Sequence, residues 1–290
     1  MNTKNYETND ISYKANLAVN FLYNSLPGRV LLSILVRPSV SRFFGFLMDR
    51  SASRIFIHSF VKRNNINMSE YINIEYKSFN NFFVRQIKKE LRPFPDYKYD
   101  VAAPCDGKLT AYPITSDSIF NIKNTTYTVD DLLQDKKLAG EFIGGVCLII
   151  RLAPNDYHRY SYIDDGQIIC HKKIRGILHT VRPISQQYYS IYAQNSREYT
   201  VMQTKNFGKV IQMEVGALFI GCIKNYMIEG SFQRGEEKGM FEFGGSTVVM
   251  LFQKDTVTID STVYQSTQQD KETIVKMGYK IGEKPYMGRK

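Results

Sequence analysis

Between Tyr13 and Asn64 the pattern of apolar and polar positions reads as helices, punctuated by Pro27-Gly28 and Pro38. After Pro38 the periodicity is helical and two-sided. Phe44, Leu47, Met48, Ile55, Phe56 and Phe60 fall on one side, and Arg42, Asp49, Arg50, Ser53 and Arg54 on another. Asn80 to Leu91 predicts a further helix carrying Phe82, Phe83 and Ile87, stopping before Arg92-Pro93. From Val101 the texture changes. Short apolar, β-branched runs recur at Val146–Leu152, Gln167–Cys170, Val210–Val215, Leu218–Ile223 and Thr247–Phe252, separated by glycines and charged turns. Asp255–Ser266 reads as strand-like and Thr-rich, followed by a polar, basic tail ending at Lys290. The expected fold is therefore α+β: an N-terminal amphipathic helical region over 1–70 and a mostly β domain over 71–290. No internal repeat, low-complexity tract or linker interrupts it.

Charge sharpens this picture. The 290 residues are 43% hydrophobic, enough for one sizeable core, and carry a net charge of +10. Such a balance favours an acidic partner: nucleic acid, an anionic membrane or an anionic substrate. More than half of the excess sits in residues 1–63, with nine Lys/Arg against three Asp/Glu. Apolar bulk beside a basic face is the composition of an interfacial helix, although a helix packed on the protein's own core shows the same periodicity. The basic residues accompany apolar bulk and no recognisable nucleic-acid motif, so nucleic acid is not an expected partner. The polar start Met1–Asp10 predicts no secretion signal, and no run reaches the roughly 20 apolar residues of a spanning helix. Cys105, Cys147, Cys170 and Cys222 form no C-x-x-C pair, so no metal site is expected, and their scatter fits a reducing compartment.

Three segments carry candidate chemistry. Ala103-Pro104-Cys105-Asp106-Gly107 has the residues of a tight turn. Arg151–Tyr160 places His158 and Arg159 just past an apolar strand, where loops present functional groups. Phe241–Thr247 puts Gly244-Gly245 before Ser246 at the head of an apolar strand. Two glycines permit backbone geometries closed to other residues and leave the Gly245 carbonyl open to attack. Each segment alone also fits an ordinary turn or loop. The third lacks the spacing of a phosphate-binding loop or of a hydrolase nucleophile elbow.

In combination they are more specific. Phe82-Phe83-x-Arg85, Arg92-Pro93, Pro104-x-Asp106-Gly107, Asp156-Tyr157-His158-Arg159, Gly216-Ala217-Leu218 and Gly244-Gly245-Ser246-Thr247, in this order, resemble the phosphatidylserine decarboxylases. Leu178–Pro183 and Asn195–Tyr199 look most like the clostridial type. The resemblance implies a proenzyme that cuts itself between Gly245 and Ser246 into chains 1–245 and 246–290, which stay together as a heterodimer. Ser246 would become a covalent pyruvoyl cofactor that forms a Schiff base with the substrate amine and decarboxylates phosphatidylserine to phosphatidylethanolamine. It also implies a peripheral enzyme on the cytoplasmic face of the cell membrane, with residues 71–290 as the catalytic domain.

Asp106, His158 and Ser246 are the implied catalytic residues. The family often has a second His three residues after the one in Asp-Tyr-His-Arg, assigned to self-cleavage with the Asp and the Ser. Ser161 stands at that position here. Either His158 serves both steps or another His substitutes, His179 being the best remaining candidate. Two alternatives stay open: a pyruvoyl decarboxylase of a soluble amino acid, and a peripheral membrane-binding relative that does not mature.

Overall fold

The computed structural model describes residues 7–10, 17–117, 119–122, 125–180, 190–217, 223–242 and 246–285. Its centre follows from three apolar runs. Val146–Leu152 (β6), Lys209–Val215 (β10) and Ser246–Phe252 (β14) are strands, and all seven residues of β14 are buried. A strand apolar on both faces needs cover on both faces and a partner on each edge. Accordingly β14 lies between β6 and β10, paired with β6 from Ser246↔Leu152 to Phe252↔Val146 and with β10 from Thr247↔Val215 to Phe252↔Val210.

The described residues form a nine-stranded antiparallel sheet in the order β1-β16-β3-β6-β14-β10-β9-β8-β12. The outer members are β1 (Thr8–Asp10), β16 (Lys271–Val275), β3 (Gly107–Pro113), β9 (Arg197–Thr204), β8 (Gly166–Ile174) and β12 (Gly230–Phe232). Three smaller sheets accompany it. They are β11 (Ile223–Asn225), β13 (Glu237–Phe241) and β7 (Arg159–Ser161); β15 (Thr258–Ile259), β17 (Lys280–Glu283) and β2 (Asp100–Ala102); and the hairpin β4 (Ile119–Ile122) with β5 (Thr125–Thr128).

The N-terminal region is helical: α1 (Leu17–Asn24), α2 (Leu26–Leu35), α3 (Pro38–Met48) and α4 (Ile55–Arg63). With the sheets, this is the α+β architecture expected. The stretch after Pro38 is not one continuous amphipathic helix. A 3₁₀ turn over Ser51–Arg54 separates α3 from α4. Ser53 is buried, not on a polar face: its Oγ donates to Met48 O and Arg50 O and accepts from Phe79 N–H. No single described helix is long and apolar enough to cross a bilayer. Leu26–Leu35 and Pro38–Met48 reach that composition only as a pair bent by 70°.

Three other expectations change. The helix expected over Asn80–Leu91 is one short element, α5 (Phe79–Phe83), capped by Ser78, followed by a 3₁₀ turn at Lys89–Leu91. Ile87 instead bridges Tyr71, which pulls the chain out of the helix. Asp255–Ser266 contains only the two-residue strand β15 before the helix Ser261–Gln268, whose N-cap Asp260 accepts from Thr262 N–H. The expected polar tail is largely structure, since β16 and β17 lie within it; residues 286–290 are outside the described residues. Most of the run Leu218–Ile223 is also outside them.

One row of the main sheet organises everything that follows. Ile274, Lys108, Arg151, Thr247, Val215, Arg197 and Ile174 are successive cross-strand partners. Because the strands alternate in direction, every chain leaving this row does so at the same end of the sheet. Asp106, the loop to His158, Ser246, Gly216, Asn195, Met277 and the segment to His179 are all attached there.

Candidate active site

Ser246 opens β14 opposite Leu152. Its side chain is fully buried, and its Oγ has no hydrogen-bond partner among the described residues. Gly244 and Gly245, the other half of the expected cleavage site, lie outside the described residues.

The chain before Ser246 is tied to His158. Phe241 N–H, at the end of β13, donates to His158 O at 2.9 Å, and β13 pairs with β7, which begins at Arg159. Two connections therefore run between the same pair of sheets. One goes from Leu152 to His158; the other goes from Phe241 to Ser246. Their ends are paired at Leu152↔Ser246 and at His158–Phe241.

The His158 loop is built from within and from below. Ala153 N–H donates to Asp156 Oδ2 at 2.7 Å, and burial pushes the Asp156 carboxyl above its usual range. Arg85 is buried and donates from Nη2 to Asn155 O (3.3 Å), Asp156 O (3.4 Å) and Tyr71 Oη (3.2 Å). Its guanidinium lies 4.4 Å from the Tyr71 ring centroid, a cation–π contact. Arg159 reaches the other way, holding Val84 O and Glu237 Oε1. The His158 ring is buried against Phe83, with centroids 4.2 Å apart. Its Nδ1 lies 2.9 Å from Asp156 O. A carbonyl only accepts, so this bond places the proton on Nδ1 and leaves Nε2 as the basic nitrogen of the neutral ring.

Asp106 occupies the turn before β3. Gly107 follows it at φ +154°, where an added Cβ would stand 2.9 Å from Arg151 O, so only glycine lets β3 start this close to β6. Arg92 grips the Asp106 carboxylate in a fork, Nε to Oδ1 at 2.8 Å and Nη2 to Oδ2 at 2.7 Å. Met277 N–H donates to Oδ1 at 2.8 Å, and Lys276 Nζ lies 3.3 Å from Oδ2. Ser161, at the position where the family often has His, is one residue removed. Its Oγ donates to Met277 Sδ at 3.2 Å, and its N–H to Pro104 O. Position 161 thus adjoins Asp106, while the bonds described for Asp106 go to Arg92, Met277 and Lys276.

His179 is at the same end of the sheet. Asn195 receives His179 N–H on Oδ1 and donates from Nδ2 to both His179 O and Gly216 O, one residue beyond Val215, the partner of Thr247. His179 Nδ1 meets Tyr23 Oη at 3.2 Å, and Thr180 N–H donates to the same oxygen. Burial lowers the His179 pKa to about 4. His58 is exposed on α4, and His171 sits between Thr200 and Glu198 on the main sheet. In the sequence, Arg85 and Arg92 are motif residues with no evident task, and Asn195 opens the run to Tyr199; Tyr23, Lys276 and Met277 carry no signal there, because their partners are distant in the chain.

The main sheet carries at one end a buried serine, a histidine loop and an arginine-gripped aspartate, and with the N-terminal helices it defines an α+β protein. Comparison with known proteins gives the particular family. The family described as phosphatidylserine decarboxylase matches residues 79–283. Phosphatidylserine decarboxylase proenzyme 2 of Clostridium acetobutylicum is 46% identical over 269 residues, covering 92% of each chain. The phosphatidylserine decarboxylase proenzyme of Clostridium perfringens is 39% identical over 284 residues, covering 95% of this chain and 96% of the relative. That of Ruminiclostridium cellulolyticum is 37% identical over 286 residues, covering 97% and 95%. The chain belongs to the phosphatidylserine decarboxylase family and is a decarboxylase.

Proposed function

We propose that the chain is a proenzyme that cleaves itself at Gly245–Ser246 and, once matured, decarboxylates phosphatidylserine to phosphatidylethanolamine at a membrane surface. The observation that carries this reading is Ser246: a buried hydroxyl, unpartnered among the described residues, at the head of a central strand. In self-cleavage Ser246 Oγ gives up its proton and attacks the Gly245 carbonyl. The amide becomes an ester and the residue 246 nitrogen is freed as an amine. Loss of the Ser246 α-proton then breaks the Oγ–Cβ bond and releases the carboxylate of Gly245. The dehydroalanine left behind tautomerises, takes up water and loses ammonia, which leaves a pyruvoyl group. That group supplies a ketone for Schiff-base capture of the substrate amine and an electron sink for the bond to CO2.

His158 is the first candidate for moving protons, because its Nδ1 bond to Asp156 O keeps Nε2 basic. His179 is the second. Asp106 acts as a positioning residue, its carboxylate fixing Arg92 and the Met277 corner against which Ser161 packs. Residues 1–70 serve as the docking region and 71–290 as the catalytic domain. On α2 and α4, Leu26 (80% exposed), Val30 (66%) and Ile55 (75%) face outward, with Arg29, Arg37 and Arg54 also exposed. Apolar groups interleaved with arginines suit an anionic bilayer and a peripheral position on the cytoplasmic face of the cell membrane.

Intact mass of purified protein tests the reading. Two chains are expected, the smaller of 45 residues with a blocked pyruvoyl N-terminus. Ser246→Ala should remain one chain of 33.5 kDa without activity. A wild-type protein that stays whole on long incubation, or a Ser246→Ala protein that still splits at this bond, would sink the reading.

A further inference from the structure

A second buried constellation joins β13 to β10 and has no part in the chemistry above. Lys238 on β13 and Glu214 on β10 are both fully buried. Lys238 Nζ lies 2.9 Å from each Glu214 oxygen and 2.6 Å from Asn225 Oδ1. Asn225 Nδ2 donates to Glu214 Oε2 at 3.2 Å and to Glu198 Oε2 at 3.1 Å. Gln212 Nε2 completes the shell, 3.2 Å from Glu214 Oε1. Glu198 and Glu214 are direct cross-strand partners, a like-charge pair that is unfavourable unless bridged, and Asn225 bridges it.

The register places this pair with respect to Ser246. Glu214 is opposite Val248. Side chains alternate along a strand, so Ser246, Val248 and Glu214 project from one face of the sheet. Lys238 stands three residues before Phe241, where the chain leaves β13 toward Ser246. The ion pair therefore spans the strand that delivers the cleavage segment and the strand that flanks its arrival. Gly239 tightens the arrangement, since an added Cβ there would stand 2.2 Å from Lys224 O on β11.

Such a pair is not explained by stability. Taking two charges out of water costs more than a good geometry reliably returns, and an apolar pair of like volume commonly serves the fold as well or better. What a buried, fully satisfied ion pair adds is a fixed register between the elements that carry it.

We propose that Glu214 and Lys238 are positioning residues for self-cleavage: they set β13 against β10 and thereby hold both ends of the segment from Phe241 to Ser246. The proposal rests on the reading of Ser246 as the nucleophile. Its test uses the full chain, with cleavage followed by intact mass, Tm measured in parallel, and decarboxylation expressed per cleaved chain. The double variant Lys238→Met/Glu214→Leu keeps the volume and removes both charges. Its Tm is expected at or above wild type, its cleavage at least tenfold slower, and its turnover per cleaved chain within twofold of wild type. Glu214→Gln, which keeps the shape, is expected to cleave more slowly as well. Wild-type cleavage rates in these folded variants would overturn the proposal, as would cleavage lost only in step with Tm. A wild-type chain that never cleaves would instead overturn the reading of Ser246.

Discussion

His158 and His179 differ in what their Nδ1 atoms meet, and under the proposed function that difference predicts different work for them. His158 Nδ1 faces a carbonyl, in a loop gripped by Arg85 and joined to Phe241 beside the cleavage segment. His179 Nδ1 faces the Tyr23 hydroxyl, and burial lowers its pKa to about 4, so it stays neutral at ordinary pH. General acid–base groups contribute roughly 10²–10⁴-fold. His158→Ala is therefore expected to lower CO2 release per mature site by about 100-fold or more, whereas His179→Ala should leave most of it. Release of labelled CO2 from phosphatidylserine, scored beside the cleaved fraction, separates the two; equal losses would refute the assignment. At this scale the sequence exposed residue types but not burial. Ser53 falls on the polar side of the sequence pattern yet is buried, and nothing local marks Arg85, Glu214 or Lys238 as buried, because polarity is visible in a sequence and a distant partner is not.

At the scale of elements, α1 and α2 tie the outward apolar face to the end of the main sheet where Ser246 lies. Tyr23, Leu32 and Val36 pack together with Ile177 at their margin, and Leu178 N–H donates to Val36 O at 2.9 Å. The opposite side leaves Leu26, Val30 and Ile34 exposed. Replacing Leu26 and Val30 by Asp removes apolar area and adds charges that an anionic surface repels. Binding to phosphatidylserine-containing vesicles should fall at least tenfold in a flotation assay, with self-cleavage unchanged. Undiminished flotation would rule out this face as the docking surface. The strands β6 and β14 were legible because apolar residues on both faces leave few other structures, and β10 from its Val, Ile and Met positions, although Gln212 and Glu214 share one of its faces. The helix Ser261–Gln268 was not, because Ser, Thr and Gln are indifferent helix formers. Tertiary contacts decide it: Val263 is buried and Thr267 Oγ1 accepts Ala111 N–H.

Across the whole molecule, the proposed cut would divide the sheet without opening it. The smaller chain would contribute β14, which lies inside the nine-stranded sheet with seven residues paired to β6 and six to β10. It would also bring β16, whose partners β3 and β1 belong to the larger chain. Stripping a strand buried on both faces exposes its apolar side chains and two rows of backbone groups. The two chains should therefore co-elute in size exclusion and separate only in denaturant; separation in native buffer would contradict the strand order. The sequence by itself determined the strands within Val146–Leu152, Val210–Val215 and Thr247–Phe252, the helical character of the N-terminal region and the motif order, because each depends on local pattern and spacing. Only the tertiary structure decided that Ser246 is buried, that His158 is tied to Phe241 while Asp106 is held by Arg92 and Met277, and that His179 answers to Tyr23. Those facts depend on which distant strands become neighbours, and cross-strand register is fixed by the packing of the whole sheet.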